Sequence, residues 1–429
     1  MILLAAAYFF ALRPLLQLLN GYASKRICSS HFIAGRTLED IQTDDLIYPA
    51  TWCNGEIDPV NMTASSSIIG LNERRAAFRP GFGCTLVPKF SSLRPTPLLP
   101  TIQAPSGYWP YGNMLQDTTF SYFDQNRLNL TVEEAFGTAD RTRAIIVAHR
   151  GHIIAEQYQK GFNKDTELLG WSMAKSIANN LVGILTKEGR LSVDKTSLID
   201  EWTDERSQIN LEELLSMSSD LDWNEEDGYL SDVTTMLYLN DQASDYAIDK
   251  KIRQQIGTSY IYSSGTTNII SEIIKNIFDT EEEYLKYPHE ALFNKLGINA
   301  TMELDADNNY IMSSYTYMTA RDWTKLGQFW LQNGNWDGQQ ILPKNWIRYS
   351  TGPGIGINSS YGAHFWLNTD SRLYPSVPAD MYSARGFQGQ QIAVIPSLDL
   401  VITRFGVDEG IETFDHNKFI SSIIASLGI

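Results

Sequence analysis

The residues best suited to chemistry lie in Gly170-Trp171-Ser172-Met173-Ala174-Lys175, which sets a serine and a lysine three positions apart. From Ala174 the pattern is helical: Ile177, Leu181, Ile184 and Leu185 share one face, and Gly189 lies just past the end. Ser172 is therefore expected at a helix N-terminus, with Lys175 projecting from the same face towards its oxygen. A serine hydroxyl is a poor nucleophile until a base removes its proton. A desolvated lysine of lowered pKa can do this, while free amides and the helix dipole stabilise an oxyanion. The bland reading is an N-cap serine beside a surface lysine. Ser192-Val193-Asp194-Lys195 repeats the spacing with no apolar run behind it and reads as a solvated loop.

Two further stretches bear on that choice. Tyr262 stands in the Ser/Gly-rich run Ile261-Tyr262-Ser263-Ser264-Gly265-Thr266, directly before an apolar helix expected over 268–277. Such a tyrosine can pass a proton to a leaving group if nearby cations lower its pKa, or it can simply pack on the surface. Arg385-Gly386-Phe387-Gln388-Gly389-Gln390 runs straight into a strand. A glycine-rich strand entry can bring a backbone N–H up to a bound carbonyl and complete an oxyanion hole with the amide of Ser172. An ordinary turn is its alternative.

These groups need a scaffold that joins distant parts of the chain. Residues 143–158 read as a hairpin, with Ala144-Ile145-Ile146-Val147 and Ile153-Ile154-Ala155 flanking a tight Arg150-Gly151 turn. Residues 391–395 and 400–404 are two more apolar strands, joined by Pro396-Ser397-Leu398-Asp399. Phe419, Ile420, Ile423, Ile424 and Leu427 then line one face of a terminal helix. Strands at both ends of a helical middle predict an α+β body: one antiparallel sheet assembled from the two ends, flanked by helices, plus a helical lobe. The region from residue 26 to about 110 is turn-rich with short β-prone pieces, and a proline-rich linker from Arg94-Pro95-Thr96-Pro97 to Pro100 closes it.

The chain has 429 residues, 34 basic against 50 acidic side chains, and a net charge of −16. With no Lys/Arg stripe to offset that balance, nucleic-acid partners are disfavoured. Neither G-x-x-x-x-G-K-[ST] nor a strand-linked G-x-G-x-x-G occurs, so nucleotide cofactors have no support. Ile2 to Leu12 is an unbroken apolar run, interrupted by Arg13 and Pro14 before Leu15, Leu16, Leu18 and Leu19. It is short for a membrane span but the right size for a leader or anchor, which leaves membrane association through residues 2–19 open. The expectation is an exported protein, periplasmic or membrane-anchored, although Lys25 and Arg26 fit badly behind a Gly21-Tyr22-Ala23 cleavage site. A buried helix is the alternative. Cys28, Cys53 and Cys84 form no C-x-x-C pair, which excludes a zinc ribbon or thioredoxin motif. Export would allow one disulfide and one free thiol; otherwise they are small buried hydrophobes.

In order and surroundings the stretches around Ser172, Tyr262 and Gly389 resemble the serine β-lactamase-like, penicillin-binding-protein-type hydrolases, and within them class C-like esterases and 6-aminohexanoate-dimer hydrolases. The resemblance rests on Ser172-Met173-Ala174-Lys175, Leu214-Leu215-Ser216-Met217-Ser218-Ser219, Leu221-Asp222-Trp223-Asn224, Tyr262-Ser263-Ser264-Gly265, Thr319-Ala320-Arg321-Asp322-Trp323 and Gly389-Gln390. It runs from Tyr108 to the end and divides the chain into a leader or anchor over 1–25, an amino-terminal extension over 26–107 and a hydrolase domain over 108–429. It implies Ser172 as the acylated nucleophile, Lys175 as its base and Tyr262 as general acid/base. The oxyanion hole would come from the amides of Ser172 and of Phe387 or Gln388, with no cofactor and no metal. Tyr229, Ser264, Arg385 and Gly389 are candidate contacts for a small ester, amide or peptide-like substrate. Where β-lactamases carry Tyr-x-Asn this chain has Tyr262-Ser263-Ser264, and where they carry Lys-Thr-Gly it has Gly386-Phe387-Gln388-Gly389. Without the lysine that anchors a carboxylate, uncharged esters or amides are expected ahead of β-lactams or peptides ending in D-Ala-D-Ala.

Three other readings compete. Gly170-Trp171-Ser172-Met173-Ala174 nearly matches the G-x-S-x-G elbow of α/β-hydrolases, with His289, His364 or His416 as base. That reading leaves Lys175 and Tyr262 without roles. His149 and His152 flank a strand turn on opposing faces and no H-E-x-x-H exists, so metal hydrolysis lacks a ligand set. A non-catalytic scaffold binding peptidoglycan or a protein partner is the third, and the intact Ser172, Lys175 and Tyr262 weigh against it.

Overall fold

The computed structural model describes residues 12–88, 92–99, 102, 106–116, 118, 120, 122–137, 141–225, 230–352, 357–408 and 414–428. Helix α1 (Arg13–Phe32) opens with a proline in its first turn, where the missing N–H would have had no partner anyway. It lies across a four-stranded antiparallel sheet of β1 (Asn54–Asp58), β2 (Thr63–Ile68), β3 (Leu71–Arg79) and β4 (Gly83–Leu86). The expected division at residue 25 therefore falls inside one helix, whose residues 18–30 are all buried. None of the described helices is long and apolar enough to cross a membrane, and residues 1–11 lie outside the described part.

Lys25 and Arg26, awkward behind a cleavage site, are charges that fasten α1 to the body. Lys25 Nζ lies 2.6 Å from Glu303 Oε2 and donates to the Cys84 carbonyl at 2.6 Å. Glu303 Oε1 accepts from the Ser29 hydroxyl at 2.6 Å and from the Cys84 N–H at 2.9 Å. Burial pulls the Lys25 pKa down and the Glu303 charge opposes it. Such a buried pair adds little net stability, but losing one partner strands a charge without water. Arg26 is buried beside Asp45 in the same way. A Cys28–Cys84 disulfide spanning 56 residues ties α1 to β4 of the amino-terminal sheet, and Cys53 is buried and free.

The body follows the expected α+β plan. After α2 (Gln125–Glu134), strands β5 (Thr142–His149) and β6 (His152–Tyr158) turn at Arg150 and Gly151, whose φ values of 50° and 74° suit a two-residue primed turn. The helical lobe contains α3 (Ala174–Lys187), α4 (Asp232–Leu239) and α5 (Ser264–Lys275), and α6 (Ala320–Leu331) packs on the sheet. Then come β7 (Trp366–Leu367), β8 (Tyr382–Gly386), β9 (Gln390–Ile395), β10 (Leu400–Gly406) and α7 (His416–Ser426). The six-stranded order is β7-β8-β9-β10-β5-β6, antiparallel throughout. Register places Ile402 opposite Val147 and Arg404 opposite Ile145.

The period of two sorts this sheet's residues between two cores. Ala144, Ile146, Ala148 and Val401 join the core shared with the helical lobe. Ile145, Val147 and Ile402 pack instead with Phe419, Ile420, Ile423 and Leu427 around α7. Helix α3 departs from the one-faced pattern read from its apolar residues, because both faces are covered. Its buried polar groups are paired: Ser176 Oγ donates to the His364 carbonyl at 2.7 Å, and Asn179 and Asn180 accept from the indoles of Trp346 and Trp330 at 2.9 and 3.0 Å.

The disulfide generates a stability prediction. Closing a loop of 56 residues removes roughly 4 kcal/mol of unfolded-state entropy in the chain-entropy account. Replacing Cys28 and Cys84 together by serine should lower the unfolding free energy by about 2–4 kcal/mol. Denaturant titration of both proteins without reductant measures this, and coincident curves would refute it.

Candidate active site

Ser172 occupies a single 3-10 turn, Trp171–Met173, that runs directly into α3, and Lys175 lies in the first turn of that helix. Lys175 Nζ is 2.9 Å from Ser172 Oγ, 3.0 Å from Ser264 Oγ and 3.0 Å from the Ser313 carbonyl oxygen. The side chain is 1% exposed. Burial lowers its pKa to about 8, against the opposing charge of Glu225. Hydrogen-bond chemistry then orients the neutral amine. The Ser313 carbonyl can only accept, so it takes one N–H. The Ser264 hydroxyl donates its proton to Glu225 Oε1, so towards Lys175 it also accepts. Both N–H groups are thus engaged, and the remaining lone pair faces the Ser172 hydroxyl. Glu225 is itself held by the Ser264 N–H at 2.8 Å and the Trp223 indole at 2.5 Å.

Tyr262 packs against Trp366 and Tyr361, with ring centroids 5.4 and 5.8 Å away, and its ring centroid lies 5.0 Å from Lys175 Nζ. Its hydroxyl bonds to Ser172. Desolvation first and the Glu225 charge second push its pKa up, outweighing the Ser172 bond and Arg385. This corrects the expectation of a tyrosine acidified by cations. The resting phenol keeps its proton and can donate it.

The backbone around Ser172 is compressed between two elements. A Cβ on Gly170 would lie 2.3 Å from the Trp323 ring, and one on Gly386 would lie 2.1 Å from the Gly170 carbonyl oxygen. Glycine at 170 makes room for the Trp323 ring of α6, and glycine at 386 lets the end of β8 close onto the serine turn. Between them Trp171 holds a φ of 48°, unusual for a bulky residue. Its indole donates to Gln388 Oε1 at 3.3 Å, and its ring packs on Tyr315 and Phe387.

Ser172, Tyr262, Ser264, Arg385, Gly386 and Phe387 line one cavity of about 520 Å³, with Lys175 directly beneath the serine. Gln388 and Gly389 are turned away from it. Gln388 is buried and accepts the Asp408 N–H at its carbonyl, so of the two residues named for the oxyanion hole only Phe387 reaches the cavity. Gly389, read as a substrate contact, instead steadies the turn: its carbonyl takes a bond from Arg404 Nη1 at 3.0 Å, and a Cβ there would meet Asp408. The Arg385 guanidinium lies over Trp366, 5.1 Å from the ring centroid. Tyr229 lies outside the described residues.

Sequence reasoning missed Glu225, the Ser313 carbonyl and a wall built by Leu18, Leu19 and Tyr22. Glu225 is one of several acids in its run, and the leucines belong to a stretch that reads as a leader. The rival sites do not assemble. Ser192 is exposed and donates to Asp194. His364 lies under α3 with Nδ1 2.9 Å from the Lys175 carbonyl, and burial lowers its pKa to about 3. His289 and His416 are likewise desolvated, and neither lines the cavity, so an α/β-hydrolase base is missing there. His149 and His152 face each other across the β5–β6 turn. Among the described residues no group of three or more His, Cys, Asp or Glu is disposed to hold a metal ion.

Comparison with known proteins bears on the family and the fold. Residues 133–406 match the family described as Beta-lactamase. A 6-aminohexanoate-dimer hydrolase of Paenarthrobacter ureafaciens is 24% identical over 294 residues, 61% of this chain and 72% of that protein. Among solved structures, a penicillin-binding-protein homologue from Caulobacter crescentus superposes with a TM-score of 0.58 at 15% identity, covering 72% of this chain and 99% of that one. A family VIII carboxylesterase gives 0.56 at 14% identity, covering 72% and 98%. With well over half of its residues inside the family match, this chain belongs to the beta-lactamase family.

Proposed function

We propose that this serine hydrolase acts through an acyl-enzyme on uncharged esters or amides, with Ser172 as nucleophile, Lys175 as its base and Tyr262 as the proton donor to the leaving group. The observation that carries the reading is the triple engagement of Lys175, which leaves one amine lone pair for the Ser172 hydroxyl. Lys175 takes the serine proton as Ser172 Oγ bonds to the substrate carbonyl, and the amides of Ser172 and Phe387 receive the developing oxyanion. Tyr262, protonated at rest, gives its proton to the departing oxygen or nitrogen. The lysine ammonium then stabilises the tyrosinate until the proton is returned. Water repeats the cycle on the acyl-enzyme. Glu225 and Arg385 bring opposite charges to the same cavity, which favours a neutral substrate centre over an anion.

Ser172→Ala should lower kcat/KM for p-nitrophenyl butyrate by on the order of 10³-fold or more, whereas Ser192→Ala should stay near wild type. Equal losses in the two variants would remove the assignment. Activity should also track the neutral fraction of Lys175. Since its pKa falls to about 8, kcat/KM should rise with pH, about tenfold per unit well below that value, and level off above it. A pH profile that falls over this range would contradict the base role.

Substrate charge gives a third expectation. A charge-assisted anchor for a carboxylate contributes enough that its absence costs roughly tenfold or more in kcat/KM. Activated short-chain esters should therefore outpace a chromogenic cephalosporin by about that factor. Arg385 is the cation that could reverse the order, so the ratio is measured in wild type and Arg385→Ala. A wild-type preference for the cephalosporin that disappears in the variant would make the chain a β-lactamase.

A further inference from the structure

The apolar side of the cavity is not made by the hydrolase body alone. Leu18, Leu19 and Tyr22 of α1, Ile47 and Ala50 from the segment after it, and Leu237 of α4 all line it. A cavity of about 520 Å³ falls within the range of small-molecule sites and far exceeds what an acetyl group fills. The wall is rigidly tied to the nucleophile. Tyr22 packs edge-on against Tyr238 with centroids 5.5 Å apart, the Tyr238 and Tyr315 hydroxyls bond at 2.7 Å, and Tyr315 packs on Trp171, the residue before Ser172, at 5.5 Å.

The polar groups of the lining gather around Tyr262. Ser264 bonds Glu225, Tyr262 packs on Trp366, and Arg385 lies over that same ring. A leaving group that receives its proton from Tyr262 must lie among them. The acyl portion leaves the carbonyl carbon on the other side of the scissile bond, and the apolar lining is the surface left to receive it.

We propose that the amino-terminal helix and the segment that follows it form an acyl-binding wall, and that the substrate is an ester or amide whose acyl group is a neutral aliphatic chain longer than acetyl. This rests on the reading of Ser172 as the acylated nucleophile. It gives the amino-terminal region a role in specificity: α1 is fastened by its disulfide and by the Lys25–Glu303 pair in the position where its leucines meet the substrate. The catalytic step is unchanged. Chain length enters because each methylene removed from water against this wall strengthens binding of the reacting complex by about fourfold.

The test uses the full chain and p-nitrophenyl acetate, butyrate, hexanoate and octanoate, so that the leaving group stays constant. Wild-type kcat/KM should climb by about fourfold per methylene from acetate to hexanoate. Leu19→Ser, which puts a hydroxyl in the wall, and Val233→Phe, which fills the cavity from α4, should each lower the hexanoate-to-acetate ratio by about tenfold or more. The ratio is taken on one preparation, so a variant that folds only in part still reports it. A flat series in an enzyme whose turnover vanishes with Ser172→Ala would overturn the acyl wall and leave the hydrolase reading standing. A length gain that follows the alcohol of acetate esters, and not the acyl chain, would place the wall on the leaving-group side and overturn it too. Turnover that survives Ser172→Ala would remove both readings.

Discussion

Strand β10 pairs with β5, and from this contact between the two ends of the chain the site takes its shape. The register that sets Ile402 against Val147 fixes β10, which fixes β9 and then β8. The end of β8 is thereby pressed onto the serine turn, at a separation only glycine can occupy at Gly386. A slip of one residue in this pairing would exchange the two buried faces of the sheet, so the hydrophobic pattern itself guards the geometry of the turn. Arg404 adds a second lock from within β10, bonding the Gly389 carbonyl and Asp408.

Two buried lysines show how the partner, not burial alone, sets what a cation does. Lys25 meets the carboxylate of Glu303 directly and serves as a fastening. Lys175 meets two hydroxyls and a carbonyl, with Glu225 held one residue away behind Ser264. Desolvation lowers the pKa of both amines, but only Lys175 stands beside a serine hydroxyl at the cavity, where it is available as a base near neutral pH. The Glu225 carboxylate favours the protonated form of both groups. Desolvation separates them: it lowers the pKa of the amine and raises that of the Tyr262 phenol, so base and donor differ in protonation state.

The amino-terminal region is more than an appendage to this machinery. Its sheet and helix bury their apolar faces in the same core as the helical lobe; an ion pair joins α1 to the body and a disulfide joins it to β4 of its own sheet. A helix packed this way can serve as a wall because its position is as well determined as that of the residues it faces.

The sequence alone determined what short-range pattern can encode. The period of 3.6 after Ala174 placed Lys175 a turn from Ser172, alternation marked the strands at both ends, and Arg150-Gly151 specified a tight reversal. Together with the resemblance carried by the motifs around Ser172 and Tyr262, this was enough for the fold class and for naming Ser172, Lys175, Tyr262, Ser264 and Arg385, which meet at one cavity. Only the tertiary structure decided the protonation states and the cavity walls. Glu225 reaches Ser264 across 39 positions and Lys25 reaches Glu303 across most of the chain. Leu18 and Leu19 read as a leader because an apolar helix destined for a protein core and one destined for a membrane present the same residues. Desolvation and long-range charge depend on what surrounds a group in space, and local spacing carries no record of that.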